Sequence, residues 1–531
     1  MIKWRNLPQR YVWSALGIVL WGLSLYLLAA QGIERSDESW FLQVTRRVNG
    51  GETLYKDMFF GATPLSIYLL RVLTHVFGLE VLVLKGMAAA CITSSILLGA
   101  RILQELEVSK RISIFFVAAN FIFVSSPWPI GLYTLLSPPF LMGTCLAALR
   151  WRKQFQSGSK AYKSLIAAGI CAGLCFASKQ NVGLGAIAAL LITVAITGAG
   201  IKDRSRSVPY AVALIAFLLV SGVLLAPILL SGAKDKFIEY CFTGKKTYLN
   251  LHLAYLMGDV SIRIKGFSAV KVYLSTFIDH PSFTSLRAAI VLSSFFLIPL
   301  LATGAIYKLL GKSNRRMTLI VIAFAVAALS MLFPRPSIHH VVSTVPMSMA
   351  ALFYFWQYMF PQKYKAAVYI QRTTGAALTI LVLMYLAIPI KQMSDGQELS
   401  QIPHFRGVWI SGFKREEFLK DARQLRTVAR NHNLFIMGPS ASFYYIICDL
   451  KNPTPFDYPL VTTFGFHGEE EVKKAILEGR ITAVCLPDED AKLSQFNLTP
   501  VGLANLTRSK MDRLMTLNYC KVYERDPNPL P

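Results

Sequence analysis

Apolar residues in this chain run in long, nearly unbroken blocks rather than in the narrow periodic stripes of a soluble domain. Blocks approaching the ~20 residues that cross a bilayer fall at about 11–30, 82–104, 112–126, 133–149, 164–178, 182–200, 208–230, 287–307, 317–333, 341–360 and 373–390. That pattern predicts a polytopic α-helical membrane protein with about eleven transmembrane helices. After Lys391 the pattern changes, and charged amphipathic blocks alternate with short β-type runs. Helices over 414–430 and 468–479, with strands at 433–437, 481–486 and 519–524, predict a C-terminal α/β domain over 391–531, large enough to hold its own core. The chain is thus read as a transmembrane domain over 1–390, with polar outer loops at 31–81 and 231–286, followed by that α/β domain.

Composition excludes a string of soluble domains: 54% of the 531 residues are hydrophobic and 16% charged, and the mean hydropathy is +0.45. Lys3, Arg5 and Arg10 precede the first block as in a secretory signal, but its length and the spans behind it predict an uncleaved anchor. With the N-terminus in the cytoplasm, the short inner loops hold twenty lysines and arginines, Arg150, Arg152 and Lys153 among them, against Lys179 and Arg335 in the short outer loops. Positive charge on the inner side sets this orientation, and an odd number of spans makes the C-terminal domain extracytoplasmic. The net charge of +25 is accounted for by this anchoring and by contact with anionic membrane lipids, so no nucleic acid partner is required.

Outside the blocks, polar chemistry gathers on the outer side. Asp37 and Glu38 directly follow the first span. Trp40, Phe41, Val44 and Val48 then share one helical face, which suits a helix lying at the membrane interface with Arg46 and Arg47 toward the headgroups. The turn Gly50-Gly51-Glu52-Thr53-Leu54-Tyr55-Lys56-Asp57 is expected to carry Asp57 back toward the acidic pair, and Thr63-Pro64 starts a further helix that ends at Gly78. In the second outer loop, Lys245, Lys246 and Arg263 alternate with tyrosines, a mixture suited to an anionic headgroup. Cys448, Cys485 and Cys520 form an odd set that allows one disulfide without fixing the pairing. Asn497 and Asn505 stand in glycosylation-acceptor patterns that recur by chance. No His, Asp or Glu cluster has metal-ligand spacing.

Taken in order, these parts resemble the glycosyltransferase C superfamily, in the branch of protein O-mannosyltransferases, aminoarabinose transferases and related bacterial enzymes. The resemblance is carried by one span followed by Asp37-Glu38, the Gly50–Asp57 turn and Thr63-Pro64-Leu65, then by Ser178-Lys179-Gln180-Asn181-Val182-Gly183, Arg335-Pro336-Ser337-Ile338-His339-His340, and the stretch from Phe435 to Tyr458. It implies a membrane glycosyltransferase in a bacterial inner (plasma) membrane. The enzyme would move a sugar from a polyprenyl-phosphate-linked donor to a lipid, glycan or protein acceptor at the outer face, by a single inverting displacement. A hydroxyl acceptor needs a base, and Asp37 matches the acidic position of the family, with Glu38 and Asp57 beside it. The leaving phosphate needs cations: Lys179, Arg335, His339 or His340, with Lys245, Lys246 and Arg263 behind them. No cofactor is implied with certainty, and a divalent metal ion near the acidic loop is left open.

Each assignment has a plainer rival. Asp37 and Glu38 would also suit a solvated loop after an anchor, and Asp57 would suit a turn cap or a pair with Lys56. Lys179 and Arg335 would suit cations snorkelling from span ends, and one of the two histidines a structural role. A membrane transporter or lipid flippase is the competing class, but it would show internal repeats and polar or broken spans at mid-membrane. A non-catalytic membrane scaffold is the third reading; it would leave the acidic loop free to vary.

Overall fold

The computed structural model describes residues 9–30, 32–33, 35–125, 132–159, 162–198, 207–244, 297–310, 314–333, 338–359, 365–461, 463–487 and 500–525. Its helices run, in chain order, α1 (Gln9–Ala30), α2 (Asp37–Asn49), α3 (Leu65–Phe77), α4 (Val81–Glu105), α5 (Lys110–Val124), α6 (Leu132–Gln156), α7 (Tyr162–Ser178), α8 (Gln180–Gly198), α9 (Ser207–Leu230) and α10 (Lys234–Ile238). A single π-helical turn at Glu239–Thr243 ends this first half. The second half has α11 (Leu297–Leu310), α12 (Arg315–Leu329), α13 (Ile338–Met359) and α14 (Lys365–Asp395), then α15 (Gly412–Asn431), α16 (Ala441–Ile447), α17 (Gly468–Leu477) and α18 (Val501–Lys510). Each expected apolar block falls on one of these helices, the block at 287–307 being described from Leu297 onward. Six described helices are long and apolar enough to cross a membrane: Tyr11–Ala30, Val81–Glu105, Leu132–Gln156, Gln180–Gly198, Ser207–Leu230 and Arg315–Leu332. The protein is a membrane protein.

The chain divides into two compact units. One comprises Met1–Leu28, Gly86–Leu225 and His252–Lys391, and the other Ala29–Lys85, Ala226–Leu251 and Gln392–Pro531. This differs from one cut near 390: the first outer loop, and the start of the second, fold with the C-terminal residues.

In the first unit, apolar helices pack through small residues, as helices in lipid must when hydrophobic burial between them gains little. At Gly169 on α7, a Cβ would meet the Ala213 carbonyl of α9 at 2.6 Å. The junction of α7 and α8 is equally tight, since a Cβ on Gly183 would meet Phe176 Cα at 2.1 Å.

The second unit is built on a sheet of strands β3 (Leu434–Ile436), β4 (Ala483–Pro487), β5 (Asp512–Thr516) and β6 (Cys520–Glu524), in the order β3-β4-β6-β5, after a short hairpin of β1 (Gly396–Glu398) and β2 (Trp409–Ser411). β3 and β4 are parallel, and the other pairs antiparallel. Cys485 on β4 and Cys520 on β6 form a disulfide, which resolves the pairing. Buried Asp421 on α15 accepts the backbone amides of Asn518 and Tyr519 at 3.0 Å each, tying that helix to the turn between β5 and β6. The helix over 501–510 and strand β5 were not expected from the sequence. β5 is exposed or half-exposed along its length, so it lacks the apolar alternation that marks a strand.

Of the three cysteines after Lys391, Cys448 is the one left out of the disulfide. It is buried against α15, its thiol donating toward the Ala422 carbonyl at 3.7 Å, and burial pushes its pKa up to about 12. The reactive form is the thiolate. Cys448 should therefore resist iodoacetamide at pH 8 in the folded protein and react after unfolding; mass-mapped alkylation under both conditions checks this.

Candidate active site

Helix α2 places the acidic pair. Asp37 and Glu38 occupy its first turn, where free backbone N–H groups favour negative charge. The two carboxylates are placed differently. Asp37 is half-buried, whereas Glu38 is 2% exposed and receives Lys85 Nζ at 3.0 and 3.1 Å on its two oxygens. Lys85, at the start of α4, is itself 1% exposed. Glu38 is thereby committed to an ion pair within the protein, and Asp37 is the less buried member of the pair.

Further along α2, the expected lipid contacts are replaced by protein contacts. Trp40, Phe41, Val44 and Val48 are all buried. Trp40 lies 5.2 Å from Phe60 and 5.5 Å from Tyr458, ring to ring, while Phe59 meets Tyr240 at 4.8 Å. The apolar face that suited a membrane interface is satisfied by this aromatic cluster; pattern alone does not distinguish lipid from protein as its partner.

Arg46 and Arg47 do not face headgroups either. Arg46 Nη1 pairs with Asp449 at 3.1 Å, and its Nη2 donates to the Leu450 carbonyl. Arg47 reaches Asp457 at 2.8 Å, Glu52 at 2.7 Å through Nε, and the carbonyls of Thr454 and Asp57 at 3.0 and 2.8 Å. Gln43 and Asn452 donate to the other oxygen of Asp457 at 3.1 and 2.9 Å. Burial disfavours the charge on both guanidiniums. For Arg46 it outweighs Asp449 and lowers the pKa; for Arg47 the neighbouring Asp457 and Glu52 win and hold it above its ordinary value. The result is a helix fixed at both ends by buried ion pairs, with Asp37 at its first residue. Arg35, two residues earlier, lies 5.4 Å over the Phe418 ring and adds an anchor on α15.

Asp57 is placed by its own turn. Its Oδ2 accepts the Thr53 amide at 2.7 Å, the arrangement of a turn cap. Among the described residues no three His, Cys, Asp or Glu side chains converge as a metal site; Glu38 is engaged by Lys85 and Asp57 by Thr53.

In the other unit, Lys179 sits at the corner between α7 and α8, 6% exposed. Its Nζ donates to the Met331 carbonyl at 3.4 Å and lies 5.3 Å from the Tyr133 ring centre. Nearby Asn181 donates to the carbonyls of Ser330 and Phe333 at 2.5 and 2.9 Å, so the Lys179–Gly183 segment clasps the carbonyl end of α12. The backbone of His339 and His340 lies in the first turn of α13, with His340 half-buried. Lys245, Lys246, Arg263 and Arg335 lie outside the described residues.

Two participants were missed in the sequence. Lys85 was read as part of an apolar span, although a lone lysine there signals a buried partner. Asp457 lies unremarked within the stretch from Phe435 to Tyr458, and nothing in sequence linked it to Arg47, 410 positions away.

No family model and no curated protein matches the sequence. Among solved structures, the chain is similar to the archaeal oligosaccharyltransferase AglB from Archaeoglobus fulgidus, in complex with an inhibitory peptide and a dolichol-phosphate. The TM-score is 0.54 at 12% identity, covering 98% of this chain and 75% of that one. It is similar to apo ArnT from Cupriavidus metallidurans with TM-score 0.52 at 12% identity, covering 98% of this chain and 99% of that one. The chain has the glycosyltransferase C fold. The likeness is one of fold, and within this glycosyltransferase C fold the residue placements above belong to this chain's own geometry.

Proposed function

We propose that this protein is a membrane glycosyltransferase that moves a sugar from a polyprenyl-phosphate carrier to an acceptor at the extracytoplasmic face. The observation that carries the reading is the half-buried Asp37 at the head of a helix fixed by Lys85–Glu38 and Arg47–Asp457, in a chain whose fold extends along the whole of ArnT. AglB, of the same fold, is known in complex with a dolichol-phosphate, which supports a polyprenyl-phosphate donor here. The Cys485–Cys520 disulfide supports an oxidising, extracytoplasmic setting for the C-terminal part.

In this reaction the Asp37 carboxylate takes the proton of the acceptor hydroxyl as its oxygen attacks the anomeric carbon. The bond from that carbon to the phosphate oxygen breaks, the configuration inverts, and the polyprenyl phosphate leaves with the bonding pair. Glu38 serves to hold Asp37 in place. Lys179, Arg335 and a histidine at 339 or 340 are the cations proposed for the departing phosphate, with Lys245, Lys246 and Arg263 as further candidates. Lipid, glycan and protein all remain acceptors by this chemistry.

The test is transfer by the protein reconstituted in bilayers, supplied with labelled polyprenyl-phosphate hexoses or pentoses and with lipid, glycan and peptide acceptors. Label on an acceptor with release of polyprenyl phosphate is expected; transport of the donor without cleavage would refute the reading. In the same assay Lys179→Ala should raise the donor KM about tenfold and leave the acceptor KM unchanged. A defect confined to the acceptor would remove Lys179 from the donor side.

A further inference from the structure

A second electropositive site lies in the first unit, at the ends of α6 and α12 opposite to Tyr133 and Met331. Arg152 is in the last turns of α6, 8% exposed, and its Nε has no hydrogen-bond partner among the described residues. Its Nη1 donates to the thioether of Met317 at 3.5 Å, a weak acceptor. No described carboxylate pairs with it; its ionisable neighbours are Arg316 and Tyr354. A guanidinium so deeply buried beside another cation needs a counter-charge.

Met317, which Arg152 touches, stands in the first turn of α12. That end of α12 carries Arg315 and Arg316 and no acidic residue, and its N-cap, Asn314, makes no side-chain cap bond. Cations stand where the helix terminus favours anions, leaving backbone N–H groups and two exposed guanidiniums around a buried one. A helix N-terminus with free amides is a phosphate-binding feature, and Arg152 is a buried charge whose Nη1 touches Met317 in that first turn. α6 and α12 pack together, and both are long and apolar enough to span a membrane. Their meeting ends therefore lie at the depth of lipid headgroups.

We propose that Arg152, Arg316 and the N-terminus of α12 bind a phosphate group, supplied by an anionic phospholipid headgroup or by free phosphate. The site is independent of sugar transfer, and its test needs no activity. Full-length protein in nonionic detergent is titrated with phosphatidic acid, phosphatidylglycerol, phosphatidylcholine or inorganic phosphate, and binding is read by native mass spectrometry and thermal melting. Expected is retention of the anionic lipids over phosphatidylcholine, about tenfold weaker in Arg152→Gln and several-fold weaker in Arg316→Gln. Protection by inorganic phosphate equal to that by lipid would assign the site to soluble phosphate. Equal binding of phosphatidylcholine, or wild-type affinity in both variants, would overturn the proposal and leave Arg152 as a snorkelling side chain. Should Arg152→Gln fail to fold, the exposed Arg316 decides alone: wild-type affinity in Arg316→Gln overturns the site.

Discussion

Asp37→Asn should abolish sugar transfer in a protein that remains folded and inserted, with kcat falling about 10²–10⁴-fold, the contribution of a positioned base. The substitution keeps the size of the side chain and removes its charge and its capacity to accept a proton. Because Asp37 is half-buried at the start of α2, and the helix is held by Lys85–Glu38 and Arg47–Asp457, nothing in the packing should collapse with it. Asp37→Glu should recover part of the rate, since the carboxylate returns at a slightly wrong distance. Donor KM should stay near the wild-type value in both. A rate for Asp37→Asn within about tenfold of wild type, well short of that loss, would remove Asp37 as the base, whatever the substrate proves to be.

The fold was legible where the physics is local. Twenty apolar residues in a row have one stable form in lipid, a helix with its backbone bonds satisfied internally, and the described part of each expected block falls on a helix. The strands β3 and β4 were legible for a similar reason, being short apolar runs between helices. What escaped reading was partnership across sequence. The face of Trp40, Phe41 and Val44 carries the same pattern whether it meets lipid or the rings of Phe60 and Tyr458. Arg47 is a cation beside a membrane until the fold delivers Asp457 to it. The acidic pair shows the point most sharply: adjacent identical charges in sequence become one buried structural carboxylate and one half-buried one, because a lysine 47 positions on from Glu38 chooses between them.

That lysine carries the largest stability effect expected here. Lys85→Met would leave the Glu38 carboxylate, 3% exposed at its side chain, without its counter-charge, and breaking one side of a buried pair costs about 3–5 kcal/mol. The loss should appear as a lower melting temperature and as faster hydrogen exchange of the α2 amides, since Glu38 lies in the first turn of that helix. The double variant Glu38→Leu with Lys85→Met removes both charges and should regain most of the stability, because an apolar pair of similar volume replaces the ion pair. Transfer should follow the same course: lost in the single variant, where Asp37 rides on a loosened helix, and largely restored in the double. If instead the double variant is stable yet inactive with a raised donor KM, Lys85 binds the donor phosphate directly, and the ion pair with Glu38 is not its role in the reaction. Recovery of both stability and transfer would leave Glu38 and Lys85 as the frame that holds Asp37, and Asp37 as the carboxylate that meets the acceptor.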